Sequence, residues 1–401
     1  MSRSMTFSEA DFPSVKALLE RHIAQGDIAG AALAVAVGDA DPCFVCVGET
    51  GMGTGRHLTP DSIHRIYSQT KPITGIAIMM LIDEGLIRLE QPLGELLPAF
   101  ANLSVLVTDD GEATRPPKRQ PTVRDLLTHT AGFTYHLQAS PLAARYRALG
   151  IEPGLRIASH QSSKEHPRDL TEMIERLARL PLARDPGEMF EYSLSIDILG
   201  AVIEHVSGKT LDRFFEERIF GPLGMRDTSF VVPPEKLDRL VNLHQRTPDG
   251  CWTLADSAAD SAYARPSLLS GGGGLVSTAR DYSRFTAMLA GQGETRGVRL
   301  LKPETARLAA SNLFPPGVGV QFFGNKLPNL GFGAAMQVAL APTRMPAGVF
   351  GWGGAAGTGM WVDSIRRVHM VLMTQYWPAE INLTLREEPA IAAYADLGHE
   401  V

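Results

Sequence analysis

With 401 residues the chain exceeds one small domain, and two domains, or one large domain carrying an insertion, are expected. Hydrophobic residues at 44% and charged residues at 20% fit an ordinary soluble globular protein. A formal net charge of -6 argues against a nucleic-acid partner, which selects strongly basic faces.

In chain order, Met1 to Glu9 hold no apolar segment of signal-peptide length, so the chain reads as cytoplasmic. An amphipathic helix is expected from about Phe12 to Gln25. Ala31 to Val37 and Pro42 to Gly48 read as strands, joined as a hairpin by the turn Gly38-Asp39-Ala40-Asp41-Pro42. Cys43 and Cys46 lie in the second strand, where residues three apart face opposite ways. Cys251 is the only other cysteine, so neither a disulfide framework nor a redox or zinc motif is expected.

Next comes Tyr67-Ser68-Gln69-Thr70-Lys71-Pro72, ahead of an apolar stretch. If Ser68 opens a helix, Lys71 shares its face, and burial of the amine favours a neutral base beside a hydroxyl nucleophile. Random placement of this chain's serines and lysines would yield about half an occurrence of Ser-x-x-Lys, so the tetrad needs support from elsewhere. Ile73, Ile76, Ile78, Met79, Met80, Leu81 and Ile82 make the following helix apolar on nearly every side, hence buried, with Gly85 as its stop. The run Ile76 to Ile82 is the longest apolar one and falls short of a membrane span, so no membrane partner is expected.

From about Glu95 to Gly208 the pattern is largely helical. Thr122 with Asp125 forms a capping box before Leu126, and Thr171–Leu180 and Leu194–Val206 read as helices. Gly271 to Gly274 lacks the lysine of a phosphate loop and reads as a tight bend or a close backbone approach. A helix follows from Thr278 or Ala279. Strands are expected at Gly331–Ala341, Gly348–Trp352, Gly357–Trp361 and Val368–Gln375. Phe322, Phe323, Met345, Met360 and Trp361 fit a pocket or ordinary packing equally well. Strands at both ends with a helical middle predict an α/β (α+β) fold. Residues 1–94 and 209–401 would form a discontinuous α/β domain, interrupted by an all-α insertion over 95–208. No cluster of His, Asp or Glu has ligand spacing, so no metal or cofactor is expected. A Gly-x-Ser-x-Gly elbow is absent from the sequence, which argues against the usual α/β-hydrolase.

Three motifs in order, Ser68 to Lys71, Tyr192-Ser193-Leu194 and Trp352-Gly353-Gly354, resemble the serine β-lactamase-like enzymes related to class C β-lactamases, DD-peptidases and family VIII carboxylesterases. Leu126-Leu127-Thr128-His129-Thr130-Ala131-Gly132, Pro186-Gly187, Pro222-Leu223-Gly224-Met225 and Gly273 to Ala279 resemble the same family, which extends the likeness over about residues 15 to 375. The resemblance implies the β-lactamase/DD-peptidase fold, an antiparallel sheet flanked by helices. It also implies Ser68 as nucleophile, Lys71 with Tyr192 as base and acid, and an oxyanion site from the backbone N–H groups of Ser68 and Ala355. Trp352, Gly353 and Gly354 would border the substrate pocket.

Two departures narrow the expectation. Leu194 stands where penicillin-recognising members carry Asn, and Trp352-Gly353-Gly354 replaces Lys-Thr-Gly. Both remove polar groups that a β-lactam would use, so the chain is most similar to family VIII carboxylesterases acting on small-molecule esters. An amidase or D-peptidase, an acyltransferase, and a binder that is acylated without turnover remain alternatives. His129 with Asp125 or Asp281 could be taken for a Ser-His-Asp arrangement, but its place in the family segment implies a structural role.

Overall fold

The computed structural model describes residues 6–108, 111, 113–153, 165–264, 266, 268–322, 325–377 and 385–399. The chain opens with α1 (Pro13–Ala24), then the hairpin β1 (Gly30–Val37) and β2 (Cys43–Gly48). Short β3 (His64–Arg65) leads through a 3-10 turn, Tyr67–Gln69, into α2 (Thr70–Asp83). The middle of the chain supplies α3 (Val123–Leu127), α4 (Leu170–Leu177) and α5 (Ser195–Ser207). Then follow β4 (Leu243–Arg246), β5 (Trp252–Asp256), β6 (Val276–Ser277) and α6 (Ala279–Ala290). The C-terminal part holds β7 (Leu330–Phe332), β8 (Gln337–Ala339), β9 (Phe350–Gly351), β10 (Gly359–Asp363), β11 (Val368–Met373), β12 (Tyr376–Trp377) and α7 (Glu388–Asp396).

One antiparallel sheet runs in the order β7-β8-β9-β10-β11-β1-β2, so its strands come from both ends of the chain. The N-terminal hairpin closes onto the C-terminal strands where β1 pairs with β11, Ala32 opposite Met373 and Val37 opposite Val368. Alternation along the strands divides their side chains between two layers. Ala31, Leu33 and Val35 meet α1 and α7, and Ala32 and Ala34 join the main core with α2 and α6. Cys43 and Cys46 obey the same rule: Cys43 packs in the outer layer and Cys46 against the main core. Each fully buried aliphatic side chain contributes about 1.5–3 kcal/mol, so these layers dominate the stability of the fold.

The helix after the tetrad lies in the middle of the main core, as its all-round apolar pattern requires. Every residue from Thr70 to Leu81 is buried. The Thr122 box forms as expected: the Thr122 hydroxyl accepts from Asp125 N–H, and the Asp125 carboxylate accepts from Thr122 N–H at 2.8 Å. Replacing Thr122 with alanine is therefore expected to lower unfolding stability by about 1 kcal/mol, read from a urea midpoint. An unchanged midpoint would show that the cap contributes nothing.

Three expectations need correction. The run Gly331–Ala341 is two strands, β7 and β8, because Gly333 N–H donates across the turn to the Met336 carbonyl and Ala335 turns with φ 58°. Small residues there let the turn press against α3, where Ala335 N–H donates to the Leu127 carbonyl. The helix expected to Leu180 ends at Leu177, since Pro181 disfavours helical geometry in the residue before it. Ser68 does not open α2 but sits in the 3-10 turn ahead of it. Of the aromatic and Met residues that suggested a pocket, Met345 and Trp361 pack in the outer layer and Met360 in the main core. Phe323 and the side chain of Phe322 lie outside the described residues.

Candidate active site

Between Ser62 and Leu81 every residue is buried except Ser68, which is half-buried. The backbone leading to it is held on two sides. β3 pairs with β6, Arg65 opposite Val276. On its other side Gln375 accepts from the Arg65 N–H at 2.7 Å and donates to the Arg65 carbonyl at 3.2 Å, acting as a one-residue strand. Tyr67 then adopts φ 43°, a left-handed conformation that costs a non-glycine residue about 1 kcal/mol or more. The sharp turn lifts the next residue out of the core. That residue is Ser68.

Lys71, on the first turn of α2, is fully buried. Its Nζ donates to Ser68 Oγ at 3.1 Å and to the Gly272 carbonyl at 2.6 Å. Nζ also lies 4.8 Å from the Tyr192 ring centroid and 5.7 Å from that of Tyr135. Tyr192 completes the group: its hydroxyl donates to Ser68 Oγ at 2.8 Å. Two donors from segments far apart in sequence thus converge on one hydroxyl.

His129 holds the tyrosine in place. Its carbonyl accepts from Glu191 N–H at 2.9 Å and its Nδ1 from Ser193 N–H at 3.2 Å, so both neighbours of Tyr192 are anchored. Its ring lies 4.7 Å from that of Tyr192. Burial, with the nearby Lys71 charge, pushes the His129 pKa well below its ordinary value and keeps the ring neutral. Asp125 is occupied by Arg119 and its own cap, and Asp281 accepts from the Asp227 amide. Neither makes a Ser-His-Asp chain.

Trp352 is half-buried, its ring 5.6 Å from Tyr192 and 5.2 Å from Phe332. Phe190 and Phe314 extend this apolar cluster. After Trp352 the chain turns at Gly353 to Thr358. Gly354 N–H donates to the Thr358 carbonyl at 2.8 Å, and the Thr358 hydroxyl reaches Ile66 O at 3.4 Å. A Cβ on Gly354 would collide with the Ile66 carbonyl, so glycine is required for this turn to dock behind Ser68. Ala355 packs in the small cluster of Tyr67, Leu243 and Ala356. Among the described residues the amide of Ala355, which lies outside any helix or strand, donates to no backbone carbonyl.

The chain matches the Beta-lactamase family model over residues 15–392. It belongs to the Beta-lactamase family. It is 31% identical over 348 residues to the Mycobacterium tuberculosis protein Rv1367c, covering 83% of this chain and 82% of that one. It is 31% identical over 338 residues to Esterase EstB of Burkholderia gladioli, covering 80% and 79%. Among solved structures it is similar to EstCE1, described as a hydrolase with promiscuous acyltransferase activity. The TM-score is 0.77 and the identity 25%, over 97% of this chain and 98% of the other. This Beta-lactamase family member is a serine hydrolase.

The structure therefore brings Ser68, Lys71, Tyr192 and Trp352 together, with the Gly353-Gly354-Ala355 turn docked on the residue before Tyr67. Sequence reading missed Tyr135, the Gly272 carbonyl and the Gln375 clamp. No local pattern marks them. The four-glycine run was the nearest signal, and it proves to be the bend that carries Gly272.

Proposed function

We propose that the protein hydrolyses short-chain carboxylic esters of uncharged small molecules through an acyl-enzyme on Ser68. The convergence of Tyr192 Oη and Lys71 Nζ on Ser68 Oγ, at 2.8 and 3.1 Å, carries this reading. Oγ attacks the ester carbonyl carbon while its proton passes to the Lys71–Tyr192 pair. The carbonyl oxygen becomes an oxyanion accepting from the Ser68 and Ala355 amides. The C–O bond to the alcohol breaks, the alkoxide takes a proton from the same pair, and the alcohol leaves. Water then repeats the sequence against the acyl-enzyme and releases the acid. The half-buried Trp352 and Phe314, backed by the fully buried Phe332, support an uncharged substrate, because desolvating a carboxylate there would be costly. The similarity to Esterase EstB supports the same class.

A second reading has an acceptor alcohol replace water in the last step, which the described activity of EstCE1 favours. The deciding assay uses p-nitrophenyl acetate and butyrate, a chromogenic cephalosporin and a D-peptide amide, each with and without a small alcohol. Ester hydrolysis is expected to be fast and cephalosporin turnover slight. Rapid cephalosporin hydrolysis with inert esters would overturn the proposal. Ester product in place of acid when alcohol is present would favour the acyltransferase.

A further inference from the structure

Asp197 lies on the first turn of α5, five residues beyond Tyr192, and is fully buried. Among the described residues its carboxylate makes no hydrogen bond to Ser68. Its Oδ1 accepts twice, from Ser270 Oγ at 2.5 Å and from Gly272 N–H at 3.0 Å. Gly272 in turn presents its carbonyl to Lys71 Nζ at 2.6 Å. One residue thus separates the carboxylate from the amine that faces the nucleophile.

The rest of the glycine run is tied by other groups. Thr74 donates to the Gly271 carbonyl at 2.6 Å, Tyr263 to the Gly273 carbonyl at 3.3 Å, and Leu275 N–H to Thr70 Oγ1 at 3.2 Å. Gly272 alone is tied by Asp197. A side chain at 272 would collide with that carboxylate, so the contact also requires glycine. We propose that Asp197 is a positioning residue that fixes Gly272 so that its carbonyl aims Lys71 at Ser68.

The physical reason is that a lysine amine on four flexible bonds must be held in one direction to exchange a proton with Ser68. Three kinds of contact orient it: Ser68 Oγ, the Gly272 carbonyl, and the faces of Tyr192 and Tyr135. The carbonyl makes the shortest of these contacts and comes from a segment 201 residues away. Burying a carboxylate without a salt bridge is expensive, and burial raises the Asp197 pKa.

The inference rests on the reading of Ser68 and Lys71 given above, so its test identifies the labelled serine as well. Asp197→Ala, Asp197→Asn and Ser270→Ala are compared for kcat and KM on p-nitrophenyl acetate, fluorophosphonate labelling rate with the adduct mapped by peptide mass, and melting temperature. Asparagine keeps an oxygen able to accept from Ser270 and Gly272, and alanine does not. In Asp197→Ala, labelling at Ser68 and kcat are expected to fall about 100-fold with KM little changed, the scale of a small misplacement of a reacting group. Asp197→Asn should recover most of that loss, and Ser270→Ala should lose about tenfold. Folded Asp197→Ala with unchanged kcat and labelling rate at Ser68 would overturn the inference and leave the Ser68 reading intact. Should the alanine variant not fold, an unchanged kcat in Ser270→Ala would overturn it equally. An adduct on another serine in the unmutated protein would overturn the Ser68 reading and this inference together.

Discussion

Ser68→Ala is expected to lower kcat for p-nitrophenyl acetate by on the order of 10⁴- to 10⁶-fold, the range in which removing a nucleophile leaves only binding and oxyanion stabilisation. The melting temperature should hardly move, because Ser68 is half-buried and, among the described residues, its hydroxyl bonds to Lys71 and Tyr192 alone. The fluorophosphonate adduct should vanish with it. Tyr192→Phe removes the 2.8 Å donor while keeping the ring against Trp352, and a loss of about 10²- to 10⁴-fold is expected for a proton-transfer group. If Ser68→Ala kept even a tenth of the wild-type rate, the nucleophile would have to be sought elsewhere.

The second large effect is on stability. Arg65 is fully buried three residues before Ser68, and its Nε donates to Asp256 at 2.8 Å. Its remaining N–H groups reach the Val241 carbonyl at 2.6 Å and Ser261 Oγ at 3.2 Å. Asp256→Ala would leave the guanidinium buried without its counter-charge, which typically costs about 3–5 kcal/mol. A urea or guanidinium midpoint measures it. The double variant Arg65→Met/Asp256→Leu should recover most of the loss, because it removes both charges rather than one. A change below about 1 kcal/mol in the single variant would show that the neutral acceptors alone suffice. Activity should fall along with stability in Asp256→Ala, since Arg65 carries the backbone into the strained turn at Tyr67.

Elements with strong local signals were legible in the sequence. The β1–β2 hairpin, the Thr122 cap and the buried helix after the tetrad each follow from periodicity or from one residue's chemistry. The strand expected over Gly331–Ala341 failed for a different reason. Its turn is made by Ala335, whose positive φ is paid back by a long-range bond to Leu127 that no local pattern announces. A helix opening at Ser68 would have started two residues early, for the same kind of reason. Apolar periodicity marks where α2 is buried, but the 3-10 turn ahead of it is imposed by β6 and Gln375.

By itself the sequence determined the order of the three motifs and the buried helix that carries Lys71. These are properties of residue type and spacing, and they survive without coordinates. Only the tertiary structure decided which groups meet Ser68 Oγ. Tyr192 is 124 residues away and Gly272 is 201 residues from Lys71, so their distances depend on how α5 and the glycine bend pack on α2. Side-chain direction at such separations is set by packing, and packing is a property of the whole fold.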